Sequence, residues 1–178
     1  MMKVLSGLVA LALFVFVLFP TGAEAGATKN MLALFLNRGV MTVGTDIPQE
    51  DITEFFFTMD SSTNPPYFQR YRFYVENGGH WFYHEKREGR HWPLTKADIT
   101  VSGSVELSDE QLAKFFDLIK GGKVEKRKEH TESGGRGPWL FLYWKGDRSK
   151  YQEFSFPFWG ARDAFEKYCI ALKDAQKS

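Results

Sequence analysis

The sequence predicts an α+β fold, a two-layer arrangement in which two amphipathic helices pack on a mainly antiparallel sheet. Three observations predict it. Segments that alternate apolar and polar residues at period two recur from Ile52 onward. Short turns rich in Gly and Asn join them as hairpins, and two later stretches carry apolar stripes at helical spacing. The 17 Phe, 7 Tyr and 5 Trp add to this, because such residues favour strands and large buried areas.

Residues 1–25 read as a cleavable signal peptide. Lys3 supplies a basic start, 4–19 is an apolar run, and Ala23-Glu24-Ala25 places small residues at −3 and −1 of a cut before Gly26. The run is about 16 residues, short of the roughly 20 that a spanning helix needs. Residues 26–178 then form one globular domain, in which 26–51 is an extension whose pattern leaves two structures open. A helix over 31–36 stopped by Gly39, or a hairpin into Val40-Met41-Thr42-Val43, fits equally well.

From Ile52 each element has a local cause. Residues 52–59 put Phe55, Phe57 and Met59 on one face, and Pro65-Pro66 forces a loop. Residues 68–76 alternate Tyr71, Phe73 and Val75 against Arg70, Arg72 and Tyr74. Asn77-Gly78-Gly79 turns that strand into 80–86, and 99–105 alternates again. Ser108 with Gln111 makes a capping box for a helix whose stripe is Leu112, Phe115, Phe116 and Ile119, ended by Gly121-Gly122. Lys123–Arg127 reads as a short strand, with lysines that suit an exposed edge. The segments 139–144 and 151–158 form an aromatic hairpin around Gly146-Asp147. A last helix begins near Gly160 with Ala161, Phe165, Tyr168, Cys169 and Leu172 on one side.

Charge and cysteine content narrow the function classes. The formal net charge is +1, and losing Lys3 and Glu24 with the leader leaves it unchanged. Near-neutrality gives no electrostatic reason to expect nucleic acid or an anionic membrane as partner. A single cysteine, Cys169, forms no internal disulfide, so the core stabilises the fold unaided.

Five pieces spread over 52–172 resemble a class of exported bacterial proteins with domains of unknown function. They are Ile52-Thr53-Glu54-Phe55-Phe56-Phe57, Leu107-Ser108-Asp109-Glu110-Gln111-Leu112, Leu140-Phe141-Leu142-Tyr143-Trp144-Lys145-Gly146-Asp147, Glu153-Phe154-Ser155-Phe156 and Ala164-Phe165-Glu166-Lys167-Tyr168-Cys169. The resemblance implies the fold and an extracytoplasmic setting, and it carries over no catalytic or binding residue. The absence of any Asn-x-Ser/Thr acceptor agrees with a bacterial source. Many members carry a lipid-modified cysteine after the apolar run; none stands there here, so a released protein without a stable membrane anchor is expected.

Candidate chemistry is sparse. His80 and His84 share one strand face roughly 13 Å apart at about 3.3 Å per residue, too far for one ion. His91 and His130 fall in loops. Cys169 sits late on a helix stripe, whereas reactive thiols favour helix N-termini, so it reads as a buried structural residue. Glu85, Glu106, Asp147 and Glu153 could pair across strands as a hydrolase needs, but no catalytic spacing is present. No metal or cofactor is expected. Trp139, Phe141 and Tyr143 alternate with Leu140, Leu142 and Trp144, so this segment is apolar on both faces and belongs at the sheet centre. The first three are the candidate interaction surface. The expected function is a secreted or periplasmic, non-enzymatic binding module with an envelope protein or glycan as partner. The alternative is a hydrolase of envelope polymers that uses a carboxylate pair.

Overall fold

The structure is a computed structural model that describes residues 39–127, 138–147, 149 and 151–176. The expected leader, the 31–36 stretch and His130 lie outside the described residues. Eight strands form one sheet: β1 (Val40–Thr42), β2 (Ile52–Ser61), β3 (Tyr67–Glu76), β4 (Gly79–Glu88), β5 (Ile99–Glu106), β6 (Lys123–Arg127), β7 (Trp139–Trp144) and β8 (Tyr151–Ser155). The α-helices among the described residues are α1 (Asp109–Ile119) and α2 (Trp159–Ala175). The strand order is β1-β6-β8-β7-β2-β3-β4-β5, and each of these neighbouring pairs is antiparallel. The α+β class and the antiparallel sheet are therefore as the sequence pattern predicts.

Local chemistry explains the connections. Asn77 (φ 52°) and Gly78 (φ 81°) both take the left-handed conformation that a two-residue hairpin demands, which joins β3 to β4. Ser108 accepts from the Gln111 N–H and the Gln111 side chain accepts from the Ser108 N–H, so the capping box starts α1. At the other end of α1, a Cβ on Gly122 would lie 2.2 Å from the Phe154 ring. Only glycine lets the chain pass there into β6.

The period-two faces assemble the core. Phe55 and Phe57 of β2, Tyr71 and Phe73 of β3, Phe82 of β4, Leu142 of β7 and Phe154 of β8 are buried together. They share that cluster with Phe115 and Ile119 of α1 and with Phe165, Cys169 and Leu172 of α2. Phe73 stacks on Phe115 at 4.2 Å, and Phe55 lies 5.1 Å from both Phe154 and Phe165. Tyr168 donates to the Gln111 carbonyl at 2.6 Å and ties the helices together.

One expectation is corrected. The lysine-bearing β6 is not an edge strand, because it lies between β1 and β8. The three-residue β1 pairs Val40, Met41 and Thr42 with Glu125, Val124 and Lys123 and takes the edge position instead. So short a strand has too little periodicity to reveal its partner.

The β7–β8 turn has its own charge cluster. Burial works against ionisation of Asp147, but bonds from Lys126 and Ser149 outweigh it and hold the carboxyl at about 2. The fully buried Gln152 also donates to it at 2.9 Å. Because this folded pKa lies below the ordinary value near 4, the stabilisation is complete above about pH 4 and is lost as pH falls through about 2. Denaturant titrations at stepped acidity should show Asp147→Asn less stable than the parent at neutral pH by about 1 kcal/mol. That difference should vanish toward pH 2, and a gap that stays constant with pH would remove this assignment.

Candidate functional site

Strand register determines what meets on the sheet face opposite the core. Glu54, Phe56, Thr58 and Asp60 of β2 stand beside Tyr74, Arg72, Arg70 and Phe68 of β3, and beside Tyr143, Phe141 and Trp139 of β7. These three strands lie inside the sheet. A groove of about 180 Å³ is cut into this face. β2 lines it with Phe56, Thr58 and Asp60, β3 with Phe68 and Arg70, and β7 with Trp139, Phe141 and Tyr143. The three residues singled out from the alternation of β7 thus share one wall of the groove. They are half-buried, whereas Leu142 and Trp144 of the same strand are buried in the core.

The polar groups of the groove are fixed by their neighbours. Trp139 donates from Nε1 to Asp60 Oδ1 at 3.1 Å. Arg70 donates from Nε to Thr58 Oγ1 at 3.2 Å, and its guanidinium lies 5.0 Å from the Phe68 ring centre and 5.5 Å from that of Phe56. Burial pulls the Arg70 pKa down, while Glu85 across the strand pulls it up. Glu85 itself is committed elsewhere, to Arg87 at 2.6 Å and to the Tyr83 hydroxyl at 2.7 Å. Among the described residues Arg70 forms no ion pair. Arg72, one pair along, is held by Glu54 at 2.5 Å and stacks over Tyr74. The groove therefore presents aromatic faces with a cation, an acid and a hydroxyl at set positions.

No family model matches the chain, and neither a curated protein nor a solved structure matches it.

The remaining candidates are dispersed. His80 and His84 lie on one face of β4, the latter buried against Phe82. His91 pairs with Asp98 at 3.0 Å in the β4–β5 loop. No group of three ligand-type side chains converges among the described residues. Cys169 is buried, and burial followed by the nearby Glu166 charge pushes its thiol pKa up, which suppresses the thiolate. Of the four carboxylates considered from the sequence, Glu85 pairs with Arg87, Asp147 with Lys126 and Glu153 with Arg127, while Glu106 ends β5.

Phe56, Thr58, Asp60, Phe68 and Arg70 were not singled out as site residues from the sequence. A signal existed, since alternation puts them opposite Phe55, Phe57 and Tyr71. What was missing was the pairing of β2 with β7, which brings Asp60 to Trp139 across 79 positions of chain.

Proposed function

We propose that this chain is an exported, non-enzymatic binding module that seats one ring-sized unit of an envelope glycan in the β2–β3–β7 groove. In this reading the helices form one layer and the sheet the other, leaving the groove face for the ligand. The carrying observation is the groove itself, where Asp60, Arg70 and Thr58 are interleaved with aromatic side chains. Sugars offer a C–H face to aromatic rings and hydroxyls to planar side chains with several bonding atoms. A volume of about 180 Å³ is that of roughly six waters, the scale of one six-membered ring.

Two features favour a sugar over a protein partner. Added peptide strands bind at sheet edges, where backbone groups are unpaired, but this groove lies on interior strands. Stable protein interfaces also cover about 800 Å² per partner, far more than one ring-sized groove offers. The hydrolase alternative needs two carboxylates at one cleft. Among the described residues, Asp60 is the carboxylate lining the groove. Another cleft, between α1 and β3–β4, is lined by Glu54 alone among the acids of the described residues, and its 10 Å³ admit at most one water.

Titration of the intrinsic tryptophan fluorescence with glucuronate-containing and neutral oligosaccharides checks the proposal. A saturable response is expected, weakened about tenfold by Phe141→Ala and by Arg70→Gln, each corresponding to about 1.4 kcal/mol. Thermal melts of both variants separate lost binding from lost folding. No saturable response to either sugar set, or binding indifferent to both substitutions, would overturn it.

A further inference from the structure

Helix α2 begins against local preference. Its N-cap is Phe158, with no side-chain cap bond and no acidic residue in the first turn. α1, by contrast, has a full capping box followed by Asp109 and Glu110. An aromatic N-cap forfeits the stabilisation a Ser, Asp or Asn would bring there. Where a chain breaks local rules without visible compensation, function is the usual reason. Here Phe158 and its successor Trp159 are 67% and 72% exposed, the highest values among the exposed large hydrophobic residues described.

The register shows what surrounds them. Lys123 pairs with Ser155, Ser61 with Tyr67, and Tyr67 with Glu88, so these positions all lie at one end of the sheet. Tyr67, 45% exposed, starts β3 there, and Trp92, 42% exposed, lies in the loop that leaves and re-enters at that end. All four exposed aromatic residues described therefore gather at one rim. Tyr67 and the end of β8 stand three strand spacings apart, about 14 Å.

Three cations lie close to the tip: Arg162 at Trp159, Lys123 opposite Ser155 and Lys120 beside Gly121. Lys120 precedes Gly121, where an added Cβ would lie 3.9 Å from Pro157, and Lys123 pairs with Ser155 while its Nζ donates to Thr42 Oγ1 at 2.7 Å; neither forms an ion pair among the described residues. Arg162 stacks on Trp159 at 4.0 Å, with Asp163 3.7 Å away. The acids of the rim stand apart from the tip or beside a cation: Asp60 lies on β2, two strands from β8, Glu88 ends β4 beside Lys86 and Asp98 caps the Thr95 turn of the β4–β5 loop, while Asp46 accepts from the Thr42 N–H. A net charge of +1 hides this distribution.

We infer that the Phe158–Trp159 tip, flanked by Lys120, Lys123 and Arg162, docks the domain reversibly on an anionic phospholipid surface. Aromatic rings with a polar or cationic fringe are the composition of membrane–water interfaces, and nearby lysines add attraction to acidic headgroups. The two rings project into solvent instead of filling a pocket, which suits insertion among headgroups better than the packed centre of a protein interface. No described helix is long and apolar enough to cross a membrane, so the contact is peripheral. This inference is independent of the groove reading, since the two sites share no residue.

Co-sedimentation of the leader-free protein with vesicles of phosphatidylcholine carrying about one-third phosphatidylglycerol tests it. The parent should bind, with a blue-shifted tryptophan emission. The double variant Phe158→Ser/Trp159→Ser should bind at least about tenfold more weakly while melting as the parent does. Lys120→Gln and Lys123→Gln should each cost roughly fivefold on acidic vesicles and little on pure phosphatidylcholine. Failure of the parent to bind, or equal binding by parent and double variant, would overturn the proposal. So would a vesicle-independent dimer abolished by the double variant, which would make the tip a contact between copies of the chain.

Discussion

Replacing Phe165 with alanine is expected to destabilise the domain by about 3–5 kcal/mol, enough to unfold much of a protein of ordinary stability. Phe165 is fully buried on the sheet-facing side of α2. Its ring meets Phe55 at 5.1 Å, Phe156 at 5.3 Å, Phe73 at 5.6 Å, Phe57 at 6.0 Å and Phe115 at 6.2 Å. The loss combines apolar transfer with a cavity that five rings, held on β2, β3, α1 and the segment after β8, cannot collapse to fill. Nor does a disulfide compensate, since Cys169 is free. Phe165→Leu should cost markedly less, because most of the volume stays. Urea unfolding of both variants provides the check, and equal losses would show that volume is not what the site requires.

Glu85→Ala is expected to cost about 3–5 kcal/mol for a different reason, the stranding of buried positive charge. The Glu85 and Arg87 side chains are 6% and 12% exposed and meet at 2.6 Å. Arg87 also donates to the Leu94 carbonyl at 3.3 Å and lies over the Phe68 ring at 4.2 Å. Leu94 is itself buried, so the β4–β5 loop helps to bury this pair on the groove face. Removing the carboxylate leaves Arg87 uncompensated and takes from Arg70 its cross-strand counter-charge. The double change Glu85→Met/Arg87→Met should recover much of the loss, since no charge is then left unpaired. Tyr83 supplies a second readout. Burial first, then its bond to Glu85, raises the phenol to about 12, so its contribution is complete below about pH 10 and is lost as pH rises through about 12. In Glu85→Gln the alkaline absorbance transition of Tyr83 should move down toward 10. An unmoved transition, or a double variant no better than the single, would refute this account.

Both effects rest on residues that sequence reasoning saw only in part. Phe165 was legible as a stripe position because a helix repeats every 3.6 residues and shows its buried side within two turns. Glu85 was legible only as a carboxylate on a strand. Its burial depends on a loop folding back to bring Leu94 over Arg87, and no local pattern encodes that. Trp139, Phe141 and Tyr143 stood out through alternation, while Arg70 read as the polar side of β3 until the sheet placed Phe56 and Phe68 around it.

The sequence by itself determined the α+β class, the Asn77-Gly78 turn, the Ser108 capping box and the inward faces of the strands and helices. Each depends on neighbours within a few positions. Tertiary structure alone decided that β7 lies beside β2, that β1 covers β6, and that the exposed aromatics gather at one rim. Pairing between distant strands is settled by which arrangement buries the most apolar area with every ladder bond satisfied. That is a property of the whole chain at once, and the groove exists only because of it.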